Sequence, residues 1–126
     1  MKKVTVGWFE IPVLEMDRAI KFYETVFDCT LQKMDMGDFL MAMFPGDAGG
    51  SGSGGSLVYH QDFYAPSDLA GPLIYFSSED VSIELAKVEG AGGTVQISKK
   101  MISPEYGYMA IFIDSEGNRI ALHSMG

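Results

Sequence analysis

The chain has two histidines, and each closes an apolar run: His60 in SLVYHQ and His123 in RIALHS. An imidazole in such a place serves as a metal ligand, as part of a binding cleft, or as a satisfied polar group in a half-buried sheet. Nucleophilic chemistry has few parts to draw on. The single cysteine, Cys29, reads as a small buried hydrophobe at a strand start, and two histidines at strand ends support no Ser-His-Asp or Cys-His set. One cysteine also excludes an intrachain disulfide, which fits a reducing cytosol. G-x-G-x-x-G occurs at Gly50, Gly52 and Gly55, but a strand follows where a dinucleotide site needs a helix N-terminus. The surrounding PGDAGGSGSGG reads as a mobile loop beside a cleft, with a lid as the bolder alternative.

The elements that carry the histidines form a repeat. TVGWFEIPV has the β-branched and aromatic content of a strand, and EMDRAIKFYETVF spaces Met16, Ala19, Ile20, Tyr23, Val26 and Phe27 as one helix face. CTLQKMDM, FLMAMF and SLVYHQ read as three strands, with a tight turn at Gly37-Asp38. After YAPSDLAG the order recurs. PLIYFS is a strand, and DVSIELAKVEGAGG is a helix capped by Asp80 and stopped at Gly92-Gly93. TVQIS, YMAIFI and RIALHS are strands, the last entered through the turn DSEGN. Each half is βαβββ, as a diverged tandem duplication would give. His60 and His123 then stand at equivalent places on the last strand of each half.

Composition sets the outer limits. With 126 residues the chain is expected to be one domain, module one about 1–63 and module two about 71–126. A net charge of −8 argues against nucleic acid and against an anionic membrane surface. No run approaches the ~20 apolar residues of a membrane span, and Glu10 and Pro12 interrupt the start too early for a signal peptide. The expected location is cytoplasmic.

FEIPVLEMDRAIKFYETVF, KVEGAGG, EYGYMAIFIDSEGN and RIALH resemble the glyoxalase, bleomycin-resistance and extradiol-dioxygenase superfamily, also called the vicinal oxygen chelate fold. Within it they are most similar to a lactoylglutathione-lyase-related subgroup. The resemblance implies an α+β fold of two tandem βαβββ modules forming an open, incomplete β-barrel, with a concave ligand face and a homodimeric assembly. Metal-dependent members carry a histidine on the first strand of a module, seven residues before the acidic helix opener. They carry a glutamate or histidine on the last strand. The matching positions here are Trp8, Leu73, Val58 and Ala121. Indole, branched alkyls and a methyl offer no lone pair to a divalent ion, so glyoxalase I and dioxygenase chemistry lose their usual metal.

If those four residues line the concave face, strand alternation adds Glu10, His60, Tyr75 and His123. One reading is a displaced divalent metal held by Glu10, His60 and His123, a chemically sensible set for iron or zinc. A second is a binding cleft in which Glu10 accepts from His123 and Tyr75 points its hydroxyl at a ligand. A third has the histidines capping the interior. Trp8 fills the volume of a lost metal and offers a flat face for an aromatic ligand. Tyr106 and Tyr108, in the EYGY loop, border the pocket by the same resemblance. Met34, Met36, Met41, Met43 and Met109 read as core filler, and Lys99-Lys100 as a solvated pair after a strand. The expected function is binding a small, partly apolar or aromatic molecule without a resident metal. The contacts would be Trp8, Glu10, Tyr75 and His123, with His60, Tyr106 and Tyr108 nearby. The alternatives are a metal-independent or displaced-metal lyase or isomerase using Glu10 or His123 as base, and an interaction module whose cleft is filled.

Overall fold

A computed structural model describes residues 2–46 and 52–126. Each half of the chain makes one mixed four-stranded sheet and one helix. The first holds β1 (Trp8–Pro12), α1 (Met16–Phe27), β2 (Gln32–Asp35), β3 (Leu40–Met43) and β4 (Gly54–Tyr59). The second holds β5 (Ile74–Ser77), α2 (Val81–Ala91), β6 (Thr94–Ser103), β7 (Gly107–Ile113) and β8 (Arg119–Ser124). The sheet orders are β1-β4-β3-β2 and β5-β8-β7-β6, with the first and last strand of each half paired in parallel. The sheets stay open and do not close into a barrel.

Both helices start and stop as their sequences require. Glu15 accepts from the Arg18 N–H and Asp80 from the Ser82 N–H, each satisfying an orphan donor of the first turn. Asp28 and Gly92 end the helices in left-handed conformations, at φ 51° and 109°. A side chain at the following Gly93 would meet the Ile113 carbonyl at 2.5 Å and the Phe22 ring at 2.7 Å. That position must stay glycine for α1 and β7 to approach.

One core joins the halves. Met16, Ala19, Phe22, Tyr23 and Val26 of α1 and Val81 and Val88 of α2 pack with Ile11, Ala42 and Leu57 of the first sheet. Ala110, Phe112, Ile120 and Leu122 of the second sheet belong to the same cluster. Aromatic contacts cross between the halves: Phe9 to Phe76 at 5.6 Å, Phe44 to Phe76 at 5.4 Å, Phe22 to Phe112 at 5.9 Å. Each sheet therefore turns one face to the shared core and the other away from the helices.

The turn Asp114–Asn118 pins the second half to the first. Glu116, its carboxylate fully buried, accepts from the Leu14 and Glu15 N–H groups at 2.8 Å each and from Arg18 Nε at 2.7 Å and Nη2 at 2.9 Å. Asn118 Nδ2 donates to the Pro12 carbonyl at 2.7 Å, and the Tyr23 hydroxyl donates to Asp114. Burial by itself would raise the Glu116 pKa, but the bonds from Arg18, the backbone and Ser115 outweigh it and hold it at about 2. Asp114 is raised by burial, and Tyr23 is pushed well up by burial and by Asp114.

Four expectations need correction. β6 runs through Ser103, so Lys99 and Lys100 lie inside a strand; register shifts along it accommodate the extra length. Cys29 sits half-buried between α1 and β2, before the strand begins. β4 starts within the glycine run, because the Trp8 and Phe9 rings lie where Gly54 and Gly55 have no side chains. Met34, Met41, Met43 and Met109 are half-buried and Met36 is exposed; none belongs to the core cluster. The loop and lid readings of the glycine run, and its Gly50, fall on residues 47–51, outside the described residues.

Candidate functional site

The sheet faces turned away from the helices carry most of the candidate residues. In the first sheet the register sets Pro12, Val58, Met41 and Met34 in one row, and Glu10, Ser56, Met43 and Gln32 in the next. Trp8 lies one step further, its Cζ3 3.2 Å from where a Gly54 Cβ would stand, so the indole leans over the glycine. In the second sheet Tyr75, Ala121, Ile111 and Ile97 share a row, and Ser77, His123, Met109 and Lys100 the next. Leu73 precedes β5 and is half-buried. Val58 and Ala121 are fully buried without joining the core, whereas Trp8 and Tyr75 are 48% and 51% exposed. The positions matching the superfamily's ligands thus include a buried methyl, a buried isopropyl and an open indole. These side chains do not fit a divalent ion.

The polar candidates part company. Glu10 accepts from the Tyr64 hydroxyl, not from His123. The bond it donates to Glu10 pushes the Tyr64 phenol above its usual pKa. His123 Nε2 lies 2.6 Å from the Tyr106 carbonyl, which can only accept, so that nitrogen carries the proton. The expected Glu10–His123 bond fails because β1 and β8 belong to different sheets and each residue finds a nearer partner. His60 is 9% exposed, its ring 4.6 Å from Phe39 and 4.7 Å from Phe63. Its Nδ1 accepts from the Asp62 N–H at 3.1 Å, which places its proton on Nε2. Glu10, His60 and His123 do not converge, and among the described residues no three His, Cys, Asp or Glu side chains form a metal-holding group.

A cavity of about 470 Å³ opens along the free side of β1. Trp8, Glu10 and Pro12 line it from the first half and Asn118 and Arg119 from the second, with Ala70 from the connector. Tyr75 and His123 lie outside it. The connector is held there by Ser67, whose carbonyl accepts from the Arg119 N–H at 3.3 Å. His60 instead borders a hollow of about 450 Å³ with Asp38, Tyr59, Asp62 and Phe63. Tyr106 is exposed, and Tyr108 is half-buried beneath Lys99 Nζ, 4.6 Å from its ring centre. Cys29 has its thiol pKa raised by burial and by Glu24, the opposite of an activated nucleophile. Tyr64, Ser56 and Arg119 escaped sequence reasoning. Ser56 had a readable signal, since it faces Glu10 by strand alternation; Tyr64 had none, because its place depends on how a connector folds back.

A search of curated protein sequences gave no match. Among solved structures, glyoxalase I of Zea mays, in an E144Q mutant, superposes with a TM-score of 0.71 at 20% identity, covering 94% of this chain and 46% of that one. The chain therefore spans about half of the maize enzyme's length. TnmS3, an antibiotic binding protein from Streptomyces sp. CB03234, gives a TM-score of 0.71 at 24% identity over 100% of this chain and 99% of its own. The trypanothione-dependent glyoxalase I of Leishmania major gives 0.71 at 20% identity, covering 98% and 88%. The family description Glyoxalase/Bleomycin resistance protein/Dioxygenase superfamily matches residues 5–122. With all but the end of β8 inside that match, the chain belongs to the glyoxalase, bleomycin resistance protein and dioxygenase superfamily.

Proposed function

We propose that this protein binds a small, partly aromatic molecule on the sheet faces turned away from its helices, without a resident metal. The observation that carries the reading is Trp8. A half-exposed indole leans over Gly54 at a ligand-bearing position of the fold and lines the cavity along β1 with Glu10 and Pro12. An aromatic ligand stacking there gains from apolar contact and ring geometry together. The antibiotic-binding Streptomyces protein of the same fold supports the same class of function. Glu10 and His123 have separate partners in separate sheets, which favours binding over the lyase or isomerase alternative.

A homodimer belongs to this reading, because Trp8, Tyr75 and Ile97 leave apolar surface on the outer faces. So does a reducing compartment such as the cytoplasm, given the lone Cys29. No helix among the described residues is long and apolar enough to cross a membrane. The test is direct. Trp8 is the sole tryptophan, so aromatic compounds screened against the purified protein should quench or shift its emission. Elemental analysis should find well under one transition metal per chain. Stoichiometric zinc, iron or nickel lost on His123→Ala, or proven binding that leaves Trp8 emission unmoved, would overturn the reading.

A further inference from the structure

Val58 and Ser56 are fully buried on the outer face of the first sheet, outside the cluster that packs with the helices. What covers them follows from two contacts of Tyr64. Its ring meets the Phe39 ring edge-on at 6.1 Å, and its hydroxyl donates to Glu10. Phe39 precedes β3 and Glu10 lies in β1, on opposite sides of β4. By register Glu10 pairs with Ser56, while Leu40 pairs with Tyr59 and so sets Phe39 beside His60. A side chain joining Glu10 to Phe39 therefore crosses β4 at Val58. The chain reaches this place by turning back after β4: the Tyr64 N–H donates to the His60 carbonyl at 3.3 Å, and His60 is gripped between Phe39 and Phe63.

Beneath that ring lies an unmet demand. Ser56 Oγ, in the same row as Glu10, is the one buried side-chain oxygen among the described residues without a hydrogen-bond partner. Buried hydroxyls are normally paired, and each exception calls for an explanation.

We propose that the hollow over Val58 is a subsite for a phenol group, that Tyr64 occupies it in the empty protein, and that a ligand's hydroxyphenyl ring displaces Tyr64. The proposal rests on the binding function above and names the chemistry of one part of the ligand. A phenol brings a flat ring for Val58, Met41 and Met43, and a hydroxyl that donates to Glu10 while accepting from Ser56. Tyr64, tethered four residues after His60, serves Glu10 and leaves Ser56 unpaired; a free phenol can serve both. A plain benzyl ring strands both polar groups, and a carboxylate would face Glu10 with like charge.

The experiment titrates p-cresol, toluene and benzoate into the full chain and into Tyr64→Ala. It follows the Ser56 and Val58 amide resonances and Trp8 emission. p-Cresol should move both amides, and bind Tyr64→Ala about tenfold more tightly if Tyr64 holds the subsite about nine-tenths of the time. Toluene and benzoate should bind more weakly. Tyr64→Phe, which keeps the ring and loses the donor, should fall between wild type and Tyr64→Ala, and serves alone if the alanine variant misfolds. Equal p-cresol affinity in wild type and the Tyr64 variants, or toluene or benzoate binding as tightly as p-cresol, overturns the subsite. If other aromatic compounds change Trp8 emission while Ser56 and Val58 stay still, general binding stands and the phenol subsite falls. If neither responds to any compound, both fall.

Discussion

Glu116 and Glu10 are both carboxylates that meet a tyrosine-bearing part of the chain, and they live in opposite circumstances. Glu116 is buried and accepts from two backbone N–H groups, a guanidinium and Ser115, tying α1 to the β7–β8 turn. Glu10 is exposed and holds one phenol from a connector. A carboxylate whose acceptor positions are filled by its own chain has nothing left for a ligand. A carboxylate with a single displaceable partner does. The contrast separates a group that holds the fold from one that faces outward with a single partner.

The largest break in that contrast is Glu116→Ala. It strands the Leu14 and Glu15 N–H groups and Arg18 near the core, and should cost about 2–4 kcal/mol in urea unfolding. Glu10→Ala should change stability by no more than ~0.5 kcal/mol. Comparable losses would erase the distinction. Gly93→Ala comes next in size. Its Cβ would press on the Ile113 carbonyl and the Phe22 ring, so a loss of about 1–3 kcal/mol is expected from overpacking at the junction of the halves.

Acid sharpens the comparison further. The Glu116 pKa lies below its unfolded value near 4.5. Its stabilisation is therefore complete above pH 4.5 and is lost as pH falls through about 2. Asp114, raised by burial, works the other way: its charged form costs stability, and protonation relieves that cost as pH falls through its folded pKa. Glu116→Gln should flatten the fall in stability between pH 4.5 and 2, with the Asp114 contribution common to both proteins. An unchanged slope would mean that the Arg18–Glu116 bonds are not made in solution.

The fold was readable because its signals are local and repeated. The α1 face, the Asp80 cap, the Gly92 stop and the two βαβββ halves all follow from spacing within one element. The outer sheet faces were readable only in part. Alternation placed Trp8, Glu10, Tyr75 and His123 on outward faces, but alternation says nothing about which sheets adjoin, so the Glu10–His123 bond was expected and is absent. The methionines show the same limit. Met34, Met41 and Met43 suit a core and an outer face equally in composition, and only the register with Val58 and Ser56 decides between them. The role of DSEGN exceeded that of a turn because its partners, Leu14, Arg18 and Tyr23, lie about 100 residues earlier.

The smallest expected effect is also the most discriminating. Tyr64→Phe removes the one exposed hydrogen bond to Glu10 and should cost, like Glu10→Ala, no more than ~0.5 kcal/mol. If the bond only braced the connector, that small loss would be its whole consequence, and ligand affinity would not move. If the phenol is a displaceable occupant, the same change should leave stability nearly intact and strengthen binding of aromatic ligands, since the competitor's grip on Glu10 is gone. A stability change that is small together with an affinity change in the tightening direction is therefore the signature of an outward-facing carboxylate. Glu116 variants cannot produce it, because every partner of Glu116 belongs to the scaffold that the ligand leaves in place.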